Sequence, residues 1–225
     1  QPDLILTSIS GDPAFDISAK LARSGLPVVL SAGYMEQHPL ARSEWIKFIA
    51  AFFDADAQAT DRFDTIAARY ETLRHTVQQV QHPPTVFCGA PYSGAWHMAG
   101  GESYTAQAIR DAGGHYLWSD TASSGAIPLD TERVFLKAAH ADIWINPSFY
   151  QSRNELYAAD ARFSKFHAAQ SGHVFNNTKQ RSASGANPIW EKGMVQPDDV
   201  LADLIKVFHP ELMPDSEFIY YEQLK

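Results

Sequence analysis

Residues 56–81 contain neither glycine nor proline, and no other stretch of this 225-residue chain has such an uninterrupted helical pattern. Phe63, Ile66, Ala67, Tyr70, Leu73, Val77 and Val80 recur at three- and four-residue steps, which is the signature of one apolar helix face. At 1.5 Å per residue the run predicts a helix roughly 35–40 Å long. His82-Pro83-Pro84 ends it, because proline cannot continue a helix and biases the residue before it towards extended backbone. A helix of that length closed by such a break suits a spine between two lobes.

Short apolar runs alternate with helical patterns on both sides of it. Before it, Leu4–Thr7 and Pro27–Ser31 read as strands, and residues 14–23 and 43–53 as helices. After it, Thr85–Cys88, His115–Trp118, Asp142–Ile145 and His173–Phe175 read as strands. Residues 103–113, 131–139, 161–169 and 197–208 read as helices. Pro197 suits the first position of the last helix, and Asp198 and Asp199 suit its first turn. The alternation predicts α/β architecture with mainly parallel sheets flanked by helices. The expected division is a partial N-terminal lobe over 1–55, the inter-lobe helix over 56–82 and a C-terminal lobe over 83–225.

The net charge is −8 and no basic cluster occurs, which argues against nucleic acid, whose binding depends on lysine and arginine against phosphate. No apolar run approaches the roughly 18 residues of a membrane span. One cysteine, Cys88, allows no intrachain disulfide and no cysteine-based zinc site. The chain opens on Gln-Pro-Asp with no leader, as expected of a processed protein or of numbering that begins inside a longer one.

In open parallel α/β sheets ligands bind beyond the C-terminal strand ends. Here those loops carry Tyr34, Glu36, Tyr92, Trp96, His97, Phe149, Tyr150, Arg181 and Trp190. Such an aromatic surface with few charges suits a bulky, partly apolar ligand better than a phosphate. The glycine-flanked unit AGGESYTAQAIRDAGG at 99–114 offers an anion-cradling loop or a well-punctuated helix. Ser103 as a plain N-cap and Gly113-Gly114 as a C-terminal stop favour the second. The histidines show no metal-ligand spacing. Cys88 near His97 at a strand end is a nucleophile reading without a flanking signature.

The segments QPDLILTS, YMEQHPLARSEWIKFIAAFF, PPTVFCGA, WHMAGGESYTAQAIRDAGG, ADIWINPS and QPDDVLADLIKVFHPEL, in this order around the long helix, resemble the ABC-transporter substrate-binding proteins for iron chelates, haem and cobalamin. The resemblance runs over nearly the whole chain and is strongest to the iron-siderophore type. It implies two α/β lobes joined by one rigid helix, and a periplasmic or extracytoplasmic protein, free or lipid-anchored. That protein performs no chemistry and needs no cofactor. It captures a metal chelate between its lobes and delivers it to a membrane permease driven by an ATPase. The resemblance places Tyr34, Glu36, Tyr92, Trp96, Phe149, Tyr150, Arg181 and Trp190 on the ligand, and Glu191 with Asp12, or else Asp16, against the permease. Family members carry further strands and helices before PDLIL, so the N-terminal lobe reads as incomplete. Two other readings stay open, an α/β enzyme using Cys88 and His97 and a transport protein for a bare metal ion.

Overall fold

The computed structural model describes residues 2–8 and 17–225, in two compact units, 1–36 and 37–225. In the first, β1 (Ile5–Ser8) and β2 (Val28–Ser31) pair in parallel, with Ile5 opposite Val28 and Ser8 opposite Ser31. The crossover between them carries α1 (Ser18–Ala22). Of the helix expected over 14–23, residues 14–16 lie outside the described residues.

The second unit begins with α2 (Pro39–Ala50), whose first position is Pro39 and whose N-cap is His38, the imidazole Nδ1 accepting the Leu40 N–H at 3.2 Å. The long helix is α3 (Asp56–Thr76). It stops five residues short of the expected Gln81. The residues after Thr76 close instead through i→i−3 bonds, Gln78 N–H to His75 O and Val80 N–H to Val77 O, a tightened end ahead of the prolines. The unit boundary at 36/37 also differs from the expected lobe boundary at 55. The reason is visible in α2, which packs on α3 and is bonded to the C-terminal part of the chain: Ser43, fully buried, donates its hydroxyl to Val195 O at 2.8 Å.

The remaining elements are β3 (Thr85–Cys88), β4 (Pro91–Tyr92), β5 (Ala95–Ala99), α4 (Tyr104–Asp111), β6 (His115–Tyr116), β7 (Ala126–Leu129), α5 (Thr131–Ala138), β8 (Ile143–Ile145), α6 (Arg153–Ala159), α7 (His167–Gln170), β9 (Val174–Asn176), α8 (Lys192–Val195), α9 (Pro197–Phe208) and β10 (Glu222–Gln223). The main sheet runs β10-β9-β8-β3-β6, parallel except for the antiparallel edge strand β10. A separate antiparallel sheet, β4-β5-β7, replaces the loop expected over 89–101. Its β4–β5 hairpin turns on Ser93 and Gly94, both left-handed at φ 52° and 86°, the geometry that tight two-residue hairpins require.

The core lies over β3 and β8. Trp96, Trp144, Phe87, Phe163 and Phe166 are fully or almost fully buried and in mutual ring contact. Their indole donors find backbone partners, Trp96 Nε1 to Cys88 O at 2.9 Å and Trp144 Nε1 to Gly89 O at 2.7 Å. Ten of the twelve residues of α9 are buried, so this helix is an internal strut rather than a surface helix. It packs on α3, where Arg69 reaches Asp198 at 2.6 Å and Asp199 at 2.5 Å in the first turn of α9.

Candidate functional site

The loops after β8 and β9 meet in a depression of about 200 Å³ at the C-terminal edge of the main sheet. Phe149, Arg181 and Trp190 line it, together with Asn146, Ser148, Asn177, Thr178 and Asn187. Phe149 and Trp190 are the exposed aromatics, at 70% and 62%. The Arg181 guanidinium lies 5.5 Å from the Phe149 ring centre and donates from Nη1 to Phe149 O at 3.2 Å. It forms no ion pair among the described residues. The site therefore presents an aromatic face with an uncompensated cation stacked on it, surrounded by amide and hydroxyl groups. That combination accepts an anionic or oxygen-rich ligand with a flat apolar body.

The backbone that builds this wall is unusual. Asn146 and Ser148 are left-handed, at φ 53° and 59°. Asparagine tolerates this conformation, but serine does not favour it, and such residues persist where the surroundings hold them. The surroundings here are β9 and the chain after it. Asn176, wholly buried at the end of β9, donates its amide to Ser148 O at 3.0 Å and to Tyr150 O at 2.7 Å. Asn187 reaches back to Asn177 O at 2.8 Å.

The other expected site residues fall elsewhere. Trp96 is a correction: it is 0% exposed and cannot touch a ligand. The loop that was to present it is strand β5, whose alternation turns Trp96 and Met98 inward and His97 outward. Tyr150 packs against the core rather than lining the depression. Tyr92, at the hairpin tip, is 64% exposed and does not line it either. Tyr34 is half exposed and Glu36 half-buried, at the turn over 33–35 in the first unit. Glu191 is exposed beside Trp190. Asp12 lies outside the described residues.

Geometry also dismantles the nucleophile reading. Cys88 is buried, its Sγ 4.0 Å from Met98 Sδ and 3.6 Å from the Tyr116 hydroxyl. His97 points away from it on the other face of β5. Burial pushes the thiol pKa up, more than the Tyr116 contact lowers it, the reverse of what a nucleophilic thiolate needs. Among the described residues no three histidine, cysteine, aspartate or glutamate side chains converge as a metal site. The start of α4 is equally closed to an anion. The N–H groups of Gly100, Gly101 and Glu102 donate to Gly125 O, Thr121 O and Ser123 O, and Ser103 caps Ala106 N–H at 3.2 Å. A larger concavity of about 470 Å³ lies at the opposite end of the main sheet, by Pro84, Asp142 and His173, where the strands begin. That is not the end at which open α/β sheets place ligands.

The signature of a family described as periplasmic binding protein matches residues 1–180, and the chain belongs to that family. It is 26% identical over 205 residues to an uncharacterized lipoprotein of Methanocaldococcus jannaschii, covering 88% of this chain and 47% of that protein. The chain spans about half the length of the curated relatives it matches. Its fold matches the apo form of the periplasmic haem-binding protein RhuT from Roseiflexus sp. RS-1, with a TM-score of 0.71 at 16% identity over 94% of this chain and 77% of that one. It likewise matches an ABC transporter substrate-binding protein from Listeria monocytogenes EGD-e, with a TM-score of 0.66 at 15% identity over 93% of this chain and 77% of that one. No helix among the described residues is long and apolar enough to cross a membrane.

The residues that sequence reasoning missed are the asparagines, Asn146, Asn176, Asn177 and Asn187. Three of them end a strand or follow one directly, yet asparagine there reads as ordinary loop chemistry. Only the left-handed backbone and the bonds across the two loops give them weight.

Proposed function

We propose that the chain is the extracytoplasmic substrate-binding part of an ABC importer. It captures a metal chelate, a ferric siderophore first and haem or cobalamin next, and delivers it to a membrane permease worked by an ATPase. It does so without catalysing a reaction. The observation that carries this reading is the depression at the strand ends, where the Arg181 cation, with no ion pair among the described residues, lies over exposed Phe149 in a wall shared with Trp190. Catecholate, hydroxamate and propionate oxygens are the acceptors a guanidinium pairs with, and chelate bodies offer the flat surface that aromatic side chains cover. Family membership supports capture and release over chemistry. The lipoprotein name of the relatives supports an extracytoplasmic, lipid-anchored setting. Glu191, exposed next to Trp190, is the proposed permease contact of the second unit, and Asp12 its proposed counterpart in the first.

The test is a fluorescence titration at neutral pH with ferric siderophores, haemin and cobalamin. Trp190 is the exposed indole of the site, so saturable quenching should accompany binding and should be smaller in Trp190→Phe, with the remaining four tryptophans still reporting. Arg181→Ala should weaken the response by about tenfold or more, the scale of one lost charge-assisted contact. Titrations in which none of these compounds changes the fluorescence, checked by equilibrium dialysis, would overturn the chelate reading.

A further inference from the structure

Three consecutive carbonyls in the loop after β8 are each held by a side chain from outside that loop. Asn176 takes Ser148 O and Tyr150 O, and Arg181 takes Phe149 O between them. Asn176 has no capacity left over on that side: both amide protons are used, and its Oδ1 accepts Asn177 N–H at 3.0 Å. The residue held in the middle is Phe149, whose side chain is the most exposed aromatic of the site. Ser148, just before it, sits in a left-handed conformation that an unsupported serine would leave.

We propose that Asn176 is a positioning residue for ligand binding. It touches no ligand. From the core it fixes the loop that carries Phe149, so that the ring and the Arg181 cation stand ready as one rigid platform before a ligand arrives. Pre-organisation of this kind raises affinity by removing the ordering cost from the binding step. The proposal rests on the chelate-binding reading of this wall and adds a residue to it that lies beneath the surface.

The experiment uses Asn176→Asp in the full chain, with 4-fluorophenylalanine placed at position 149 and followed by fluorine NMR. The variant keeps the Oδ1 acceptor for Asn177 N–H but sets a carboxylate oxygen against two carbonyls. Burial and those carbonyls would raise the carboxyl pKa into a measurable range. At neutral pH the fluorine signal should split or broaden relative to the parent. In acid the protonated carboxyl regains one O–H donor, and the signal should sharpen again. Haemin or ferric siderophore affinity should drop by about tenfold at neutral pH and recover in acid relative to the parent at the same pH. Because protonation also relieves any global destabilisation by a buried carboxylate, denaturation midpoints of the variant are recorded at each pH, and the fluorine comparison is made where the variant is fully folded. If Asn176→Asp does not fold, Asn176→Ser provides the second arm, since its single, shorter hydroxyl cannot hold both Ser148 O and Tyr150 O. Its fluorine signal should also broaden.

A single unshifted fluorine line in either variant at every pH would overturn the proposal. So would broadening with unchanged affinity. If the parent protein binds none of the chelates, the failure lies with the transport reading, because the fluorine measurement needs no ligand and judges the positioning by itself.

Discussion

A methyl group at position 100 would sit 2.2 Å from Ser123 O, and one at position 101 would sit 2.6 Å from Ser119 O, both backbone atoms that cannot step aside. These glycines are required by close backbone approach and not by any ligand. Gly100→Ala should therefore cost about 3 kcal/mol in chemical denaturation, within the range of strained core changes. Gly125→Ala, where nothing lies within 4 Å, should stay within about 0.5 kcal/mol. Trp96→Ala belongs to the same scale. It should destabilise by about 3–5 kcal/mol through a large cavity among stacked rings. Trp96 was singled out in the sequence because it stands in a glycine-rich stretch. Glycine density marks turns and close packing as readily as binding loops, and nothing in one sequence separates the two. Arg181 and Trp190 were legible because charge and aromaticity are rare in the polar stretch that holds them. Asn176 was not, since its importance lies in what its amide reaches across the fold.

The elements were more legible than the residues. The recurring apolar face between Phe63 and Val80 marks α3, and the capping chemistry of α4 and α9 is read directly from Ser103 and from Pro197 with Asp198 and Asp199. The small antiparallel sheet was not legible, because its strands are short and one of them is two residues long. Helix α6 was missed for a similar reason, having seven residues and one buried apolar side chain. At this scale the start of β8 carries a pH dependence. Burial raises the Asp142 pKa, but the Thr85 hydroxyl at 2.6 Å and Thr85 N–H at 2.8 Å outweigh it, so the carboxyl lies below its ordinary value of 3.8. A carboxylate depressed in the folded state contributes stability above its unfolded pKa and loses it as pH falls through the folded value. Denaturation midpoints of the parent should therefore fall more steeply between about pH 5 and pH 3 than those of Asp142→Asn. An equal slope in both would remove Asp142 from the acid response.

For the whole molecule, the family assignment followed from the order of segments that are each weak alone, and the fold agrees with it. The boundary of the compact units did not follow, because α2 looks in sequence like part of what precedes it while its bonds go to Val195 and to α3. The second unit holds the entire aromatic core and both sheets built from β3 to β10. A polypeptide of residues 37–225 should thus unfold cooperatively by itself, with the near-ultraviolet signal of Trp96 and Trp144 intact. A broad, non-cooperative transition would show that this unit depends on the preceding residues. Along α2 and the turn after it, Phe48, Ile49, Phe52 and Phe53 are 37–75% exposed.

The burial of the single cysteine has a practical side. A thiol shielded from water and held protonated will not meet a maleimide at neutral pH. Residues 1–225 are therefore already a background without a reactive thiol. Any cysteine introduced at an exposed position, in either unit, becomes the sole point of attachment for a spin label or a dye. Distances between the two units can then be measured from pairs of such labels without first replacing Cys88.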